Sequence, residues 1–431
     1  MRVLLLISEV WNDKKHPNNN MSNWFDGIAD VELATIYASP GYPDNKCCTL
    51  YFQLTEASMV RSLFLRNRAG HSFIINNSRN SNQGSQPKPT HIYRLFKSIS
   101  NEFIRLIRDI IWKIGRIDNK RLEQFINEFH PDIIFTQRMG SVKMCRIERL
   151  VKTFTDVPMV AYTGDDEYSL KQYNVSPIYW VRRFWVRNEL KRNIPMYDLF
   201  YSQSETQMRE FREEFGSNTK FLVKCGAFDK DRIHKSVNNP IQITYAGKLY
   251  CNRWKTLALI AECIRQVNQD NLILQLKIYT RDKITERQSK FLNDGTNCII
   301  MGGVTADELK YVYSSSDILL HVESFDKANS LLTKYSFSTK IMECLSSGCA
   351  VMAVGSKNQA GCSYLRKQDA AFVASSKDDI MMILHNICST QELILEYAQK
   401  AYECGIRNHR RQDIQSMLKS DFNQLICNGN Y

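Results

Sequence analysis

Short apolar runs alternate with helix-length amphipathic stretches along most of the chain, the pattern of βαβ units around parallel sheets. In the first half the runs that predict strands are residues 3–7, 31–37, 133–135, 159–162 and 199–201. A second, more regular series predicts strands at 241–245, 274–279, 298–300, 318–322, 350–354 and 371–373. Helical spacing separates these, over 254–268, 306–315 and 338–347. The polar stretch 76–90 reads as a loop, and the polar segment 229–240, ending in Asn-Asn-Pro, reads as a join. The expected architecture is α/β, with a Rossmann-like domain over 1–230 and a second over 231–415. A last helix over 416–431 is expected to return to the first domain. Absence of a short-period repeat argues against a solenoid.

Length agrees with this division, because 431 residues exceed what one hydrophobic core usually organises. With 43% hydrophobic and 24% charged residues, and only 18 Gly and 10 Pro, the composition excludes a disordered or collagen-like chain. The opening apolar run stops at Ser8 and Glu9, which is short for a signal segment, and no stretch approaches about 18 apolar residues. A cytoplasmic protein is expected, at most peripheral on the inner face of a membrane. The 13 Cys lack CxxC spacing and read as reduced thiols. A net charge of +12 favours an anionic partner: a phosphorylated ligand, an acidic membrane surface or nucleic acid. No nucleic-acid module is recognisable, so nucleic acid is not expected.

Ligands of open parallel sheets collect at the carboxyl ends of the strands, and three such ends in the second series carry unusual residues. After 241–245 come Gly247, where the backbone can turn closely beneath a ligand, and the cations Lys248, Arg253 and Lys255 at the start of a helix. This set suits a pyrophosphate; the alternative is a surface turn with solvated basic residues. The run 318–322 ends in His321, Glu323 and Ser324, where a ligand contact competes with a helix cap or a solvated loop. Ser338 is placed to cap the third helix, leaving Thr339, Lys340 and backbone N–H groups for a phosphate and Glu343 for the hydroxyls of a ribose. Ile341, Met342 and Leu345 on the same helix read as core.

From ITYAGKLYCNRWKTL through LKIYT and GGVTADELKYVYSSSDILLHVESF to FSTKIMECLSSGCAVMAVG, residues 240–375 resemble glycosyltransferase family 4, retaining enzymes of the GT-B fold. The first half matches only loosely. The resemblance implies two Rossmann-like domains facing each other across a cleft and a nucleotide-sugar donor held by the second. In this sequence Gly247 would turn beneath the donor, and Lys248 and Arg253, with Lys255 as a rival, would neutralise the diphosphate. Glu343 would bind the ribose, while Val304 and Thr280 would lie near the nucleotide. No metal and no other cofactor are implied, because fixed cations such as Lys248, Arg253 and Lys340 stabilise the departing diphosphate. One departure stands out: the family's first glutamate of a pair would fall at Tyr335, eight positions before Glu343. Ser338-Thr339-Lys340 occupies the place of an element seen in several branches, and Glu323 is a substitute source for the carboxylate. Asp229-Lys230-Asp231 spells a metal motif of the other glycosyltransferase fold but falls in the join, where coincidence is the better reading.

In the first half, 159–162 runs into Thr163-Gly164-Asp165-Asp166-Glu167, carboxylates that suit sugar hydroxyls or the acceptor proton as well as they suit a solvated loop. Residues 92–121 carry eight Lys or Arg among Ile, Leu, Phe and Trp112, and SPIYWVRRFWVRNELKRNI at 176–194 repeats the theme. Such segments lie in an anionic bilayer interface or simply pack as helices with a basic face. The resulting expectation is a transferase that moves a sugar to a glycan or lipid-linked acceptor, building a surface polysaccharide. The competing expectations are a nucleotide-sugar epimerase of the same fold and a non-catalytic GT-B protein that binds membrane through its basic surface.

Overall fold

The computed structural model describes residues 1–14, 20–75, 102–138, 141–166, 168–216, 218–221 and 236–428. Two compact units are formed, one by Met1–Leu222 with Gln415–Tyr431 and the other by Val223–Ile414.

The first unit is built on an eight-stranded sheet in the order β4-β3-β2-β1-β5-β6-β7-β8. Its strands are β1 (Arg2–Ile7), β2 (Glu32–Tyr37), β3 (Leu50–Gln53), β4 (His71–Ile74), β5 (Ile133–Arg138), β6 (Met159–Thr163), β7 (Leu199–Ser202) and β8 (Thr219–Phe221). All neighbours run parallel except β3 and β4, which are antiparallel. The residues that predict five of these strands are buried on both faces, as a helix-covered parallel sheet requires. Missing from the prediction are β3, β8 and the edge strand β4, which is mostly exposed and whose apolar part, Phe73-Ile74, is short.

The helix Arg411–Asn428 belongs with this unit from Gln415 onwards. Gln415 donates to the carbonyl of Asp26 at 2.8 Å, Tyr201 donates its hydroxyl to Asp421 at 2.7 Å, and the Phe422 ring lies 6.0 Å from that of Phe135.

The second unit carries a six-stranded, all-parallel sheet in the order β11-β10-β9-β12-β13-β14. Here β9 is Ile241–Ala246, β10 Leu274–Tyr279, β11 Cys298–Gly302, β12 Ile318–Val322, β13 Ala350–Val354 and β14 Phe372–Ala374. Every strand predicted for this half is present. The reason is burial: β12 and β13 are apolar runs with a core on each face, one formed around Ile243, Leu276 and Leu320 while another gathers Leu319, Ile341 and Val351, and β9 alternates apolar with polar positions. The order reverses between β9 and β12, which makes their carboxyl ends the switch point of the sheet. No described helix is long and apolar enough to cross a membrane.

Candidate functional site at the carboxyl edge of the second sheet

Two chain segments leave the switch point. Past β9 the chain turns through Cys251 and Asn252, both left-handed (φ 54° and 58°), and enters the helix Arg253–Val267. Past β12 it presents Glu323. The two meet in a fork: Arg253 Nη2 lies 2.6 Å from Glu323 Oε1 and its Nε 3.3 Å from Oε2. Both side chains are buried, and Thr256 Oγ1 donates to the carbonyl of Glu323 at 2.9 Å. Burial opposes the charge on Arg253, but Glu323 and the nearby Tyr250 outweigh it and raise the guanidinium above its ordinary range. A charged, desolvated fork of this kind fixes geometry as well as contributing energy.

Lys340 approaches from the other side of β9. Its Nζ donates to the carbonyl of Ala246 at 2.6 Å and stands 5.1 Å from the centre of the Tyr245 ring. Position 247 is glycine for a steric reason: a Cβ there would lie 1.6 Å from Lys340 Nζ. Burial, with the repulsion of Arg253 added, lowers the Lys340 ammonium to about 8. Two cations and one carboxylate therefore gather at the switch point, and the lysine among them is held away from its ordinary pKa.

Further along the same helix, Glu343 accepts a hydrogen bond from the Tyr313 hydroxyl at 3.3 Å. The helix itself is Lys340–Ser346, shorter than the spacing predicts. Thr339 stands at its cap position without a side-chain bond, and Ser338 Oγ accepts the Lys340 N–H at 3.4 Å. Tyr335, where the family pattern would put a glutamate, is buried beside the same helix.

The remaining residues of the second unit are placed more peripherally. Lys248 and Lys255 are exposed, the latter 5.9 Å from the Trp254 ring. Thr280 is buried and accepts the Asp282 N–H at 3.2 Å, while Asp282 accepts that of Leu249 at 2.6 Å, so the loops after β9 and β10 are tied together. The Val304 carbonyl accepts Arg281 Nε at 3.1 Å. Arg253, Glu323, Lys340 and Gly247 are thus brought together, with Glu343 on the following turn; Lys248, Lys255, Thr280 and Val304 are not part of that cluster. Sequence reasoning places Arg253 and Glu323 at neighbouring strand ends but does not reveal that they neutralise each other.

In the first unit Asp166 is committed internally. Its Oδ1 accepts Arg183 Nη2 at 2.7 Å and the Ser169 N–H at 2.9 Å, and Oδ2 accepts Gln172. Asp165 presents its carbonyl to Gln207 at 3.1 Å. Glu167 and the Asp229-Lys230-Asp231 triplet lie outside the described residues.

The basic helix Pro177–Asn193 turns three of its four arginines inwards: Arg182 pairs with Asp109 at 2.6 Å, Arg183 with Asp166, and Arg187 with Glu214. Its first half exposes the apolar Val181 at 61% and Phe184 at 49%, while Lys191 and Arg192 are exposed at its end. The neighbouring helix Glu102–Ile114 adds Phe103, Ile110 and Ile114, all exposed. Residues 92–101 of that basic stretch lie outside the described residues.

With this geometry established, comparison with solved structures identifies the fold. HepE of Anabaena in complex with UDP matches with a TM-score of 0.61 at 12% identity, over 98% of this chain and 100% of that one. The E. coli trehalose-6-phosphate protein bound with UDP-2-fluoro glucose matches with a TM-score of 0.64 at 11% identity, over 98% and 99%. Sucrose-phosphate synthase from Thermosynechococcus elongatus gives 0.61 at 10% identity, over 99% and 100%. No family model and no curated protein sequence matches the chain. At such identities the likeness is one of fold, and the fold is GT-B.

Proposed function

We propose that the protein is a glycosyltransferase that binds a nucleotide-sugar in its second unit and passes the sugar to a glycan or lipid-linked acceptor. The observation that carries this is the gathering of Arg253 and Lys340 at the switch point of a Rossmann-like sheet, with Glu343 one helical turn further on. A departing nucleoside diphosphate accumulates negative charge, and desolvated cations aimed at it stabilise the transition state more than the same groups would in water. Lys340 and Arg253 take that role, with Lys248 and Lys255 as exposed cations nearby. Glu343, steadied by Tyr313, accepts hydrogen bonds from the ribose, and Thr280 and Val304 border the nucleotide. Gly247 keeps the floor open. Ser338 and Thr339 lead into Lys340 and offer hydroxyls on the sugar side.

In this proposal the reaction is retaining and needs no metal, both taken from the family 4 resemblance. The product belongs to a surface polysaccharide, and the exposed apolar stripe of the first unit rests on the inner face of a membrane beside a lipid-linked acceptor. UDP is the first donor class to examine, because the Anabaena and E. coli proteins of similar fold hold UDP or a UDP-sugar.

A second reading has two observations in its favour: Arg253 already has its anion in Glu323, and Tyr335 stands where a glutamate would be, as in a GT-B protein that has given up catalysis. Thermal melting with UDP-, GDP- and CDP-sugars separates the two, since a ligand bound only by the folded state raises the melting temperature. A shift with one nucleotide class that is lost in Glu343→Ala supports the transferase. No shift with any of them favours the non-catalytic protein.

A further inference from the structure

Beneath the Arg253–Glu323 fork lies a histidine with no assigned task. His321 and Glu323 are two residues apart at the end of β12 and therefore share a face of the sheet. His321 is buried, and its Nε2 hydrogen-bonds to nothing. It stands 3.9 Å from Glu323 Oε1, the oxygen that also holds Arg253 Nη2 at 2.6 Å. On its far side the ring is backed by Gly361, so closely that a Cβ there would lie 2.6 Å from Nε2. A buried ring nitrogen without a partner is costly, by about 1–3 kcal/mol. Here the missing partner is within about 1 Å of charge-assisted bonding distance.

We propose that His321 and Glu323 form a proton-linked counter-charge for Arg253: a diphosphate takes the guanidinium from Glu323, and His321 binds a proton and closes onto the released carboxylate. The inference rests on the diphosphate reading of the site given above.

The groups that face His321 decide the direction. Glu323 comes from the end of its own strand, Arg253 from the helix Arg253–Val267 and Lys340 from the helix Lys340–Ser346; the Cys362 thiol of the helix Ala360–Lys367 lies near Glu323, and burial pushes it up to about 12 and so keeps it neutral. With Arg253 in place, burial first and then the two cations hold the ring down at about 4, against the pull of Glu323. Drawing Arg253 onto a phosphate removes that compensation from Glu323, leaves a buried carboxylate unpaired and brings further negative charge. Every change raises the proton affinity of the ring. Since the ring is then half-charged at a pH above 4, proton uptake accompanies binding between the old and the new value. If Arg253 instead greets the phosphate with its remaining N–H groups and keeps Glu323, no proton is taken up.

Calorimetric titration of the full chain with UDP at about pH 6, in two phosphate-free buffers of different ionisation enthalpy, counts the protons. UDP ionises in the same range, so the informative quantity is the difference between the parent and His321→Gln. An uptake larger in the parent, by up to about one proton per site, is expected, with UDP affinity in the parent gaining up to about tenfold per pH unit as the pH falls. Equal proton counts overturn the inference and leave the nucleotide reading standing. A ligand-free measurement keeps the two separable: in Arg253→Gln, the histidine ring signal absent from His321→Gln should titrate clearly above the parent's value near 4. If it does while UDP fails to bind the parent protein, the nucleotide reading falls and the linkage stands, with inorganic pyrophosphate as the next probe. If it stays near 4, the linkage is wrong.

Discussion

Replacing Gly247 by alanine isolates what that glycine does, because the added methyl strikes one atom far harder than any other. A Cβ at 247 would sit 1.6 Å from Lys340 Nζ, but 3.0 Å from Lys340 Cε and 3.1 Å from the Tyr245 hydroxyl. The obstructed group is the tip of a flexible side chain, so the ammonium leaves and the backbone stays. What is lost is the charge-assisted bond from Lys340 to the carbonyl of Ala246, worth about 1.5–3 kcal/mol, less what water restores to the freed ammonium. Against this, alanine restricts the unfolded chain and returns about 0.4–1 kcal/mol. The net cost to folding is about 1 kcal/mol, a fall of about 2–4 °C in Tm for a unit of this size. Affinity should suffer more. A lysine evicted from the floor of the site withdraws a charged contact from the diphosphate, and about 1.5–3 kcal/mol corresponds to roughly 10- to 100-fold in Kd for UDP. Calorimetry and thermal melting on Gly247→Ala, Lys340→Met and the double variant test the chain of cause. If alanine acts only by moving Lys340, the double variant binds UDP as Lys340→Met does. Losses that add, or a Gly247→Ala protein that binds UDP like the parent, would refute the reasoning.

Three further outcomes are expected. Lys340 loses its proton near pH 8, and a diphosphate favours the charged form, so UDP affinity should fall by up to about tenfold per unit above that pH, a loss separate from the histidine-linked gain at lower pH; Lys340→Met should flatten this part of the profile. Asp166→Asn breaks a buried pair with Arg183 and should cost about 3–5 kcal/mol in urea unfolding while UDP affinity holds; a variant of parental stability that has lost turnover would place Asp166 in the chemistry instead. Vesicle binding, measured by sedimentation, should depend on Val181 and Phe184, with Val181→Ser and Phe184→Ser each lowering the partition by about tenfold. Because Arg182, Arg183 and Arg187 are engaged internally, raising the salt should have the smaller effect.

How far the sequence discloses this molecule depends on which force shapes each element. The strands of the second sheet are legible because their buried positions are apolar, in nearly continuous runs in β12 and β13 and in alternation in β9 and β10, and both patterns are local information. The strand β4 is harder to read because its apolar part, Phe73-Ile74, is short and little buried at an antiparallel edge. That Gly247 and Lys340 come together is foreseeable, because both lie at the carboxyl ends of neighbouring parallel strands, where ligands of such sheets collect. The basic helix Pro177–Asn193 misleads because charge is visible in a sequence and pairing is not; Asp109, Asp166 and Glu214, which neutralise its arginines, are far away along the chain.

The same limit applies with more consequence at Arg253. Read along the chain, it is a free cation beside a helix start, and Glu323 is a carboxylate beside another strand. Read in space, each is the other's counter-ion. Any anion that uses Arg253 must either share it with Glu323 or displace that carboxylate, and displacement leaves a buried charge that something must answer. His321, uncharged and without a hydrogen bond at Nε2, is the group placed to answer it. In the proposed function, the affinity for a diphosphate is therefore set as much by the fate of Glu323 as by the number of cations around it.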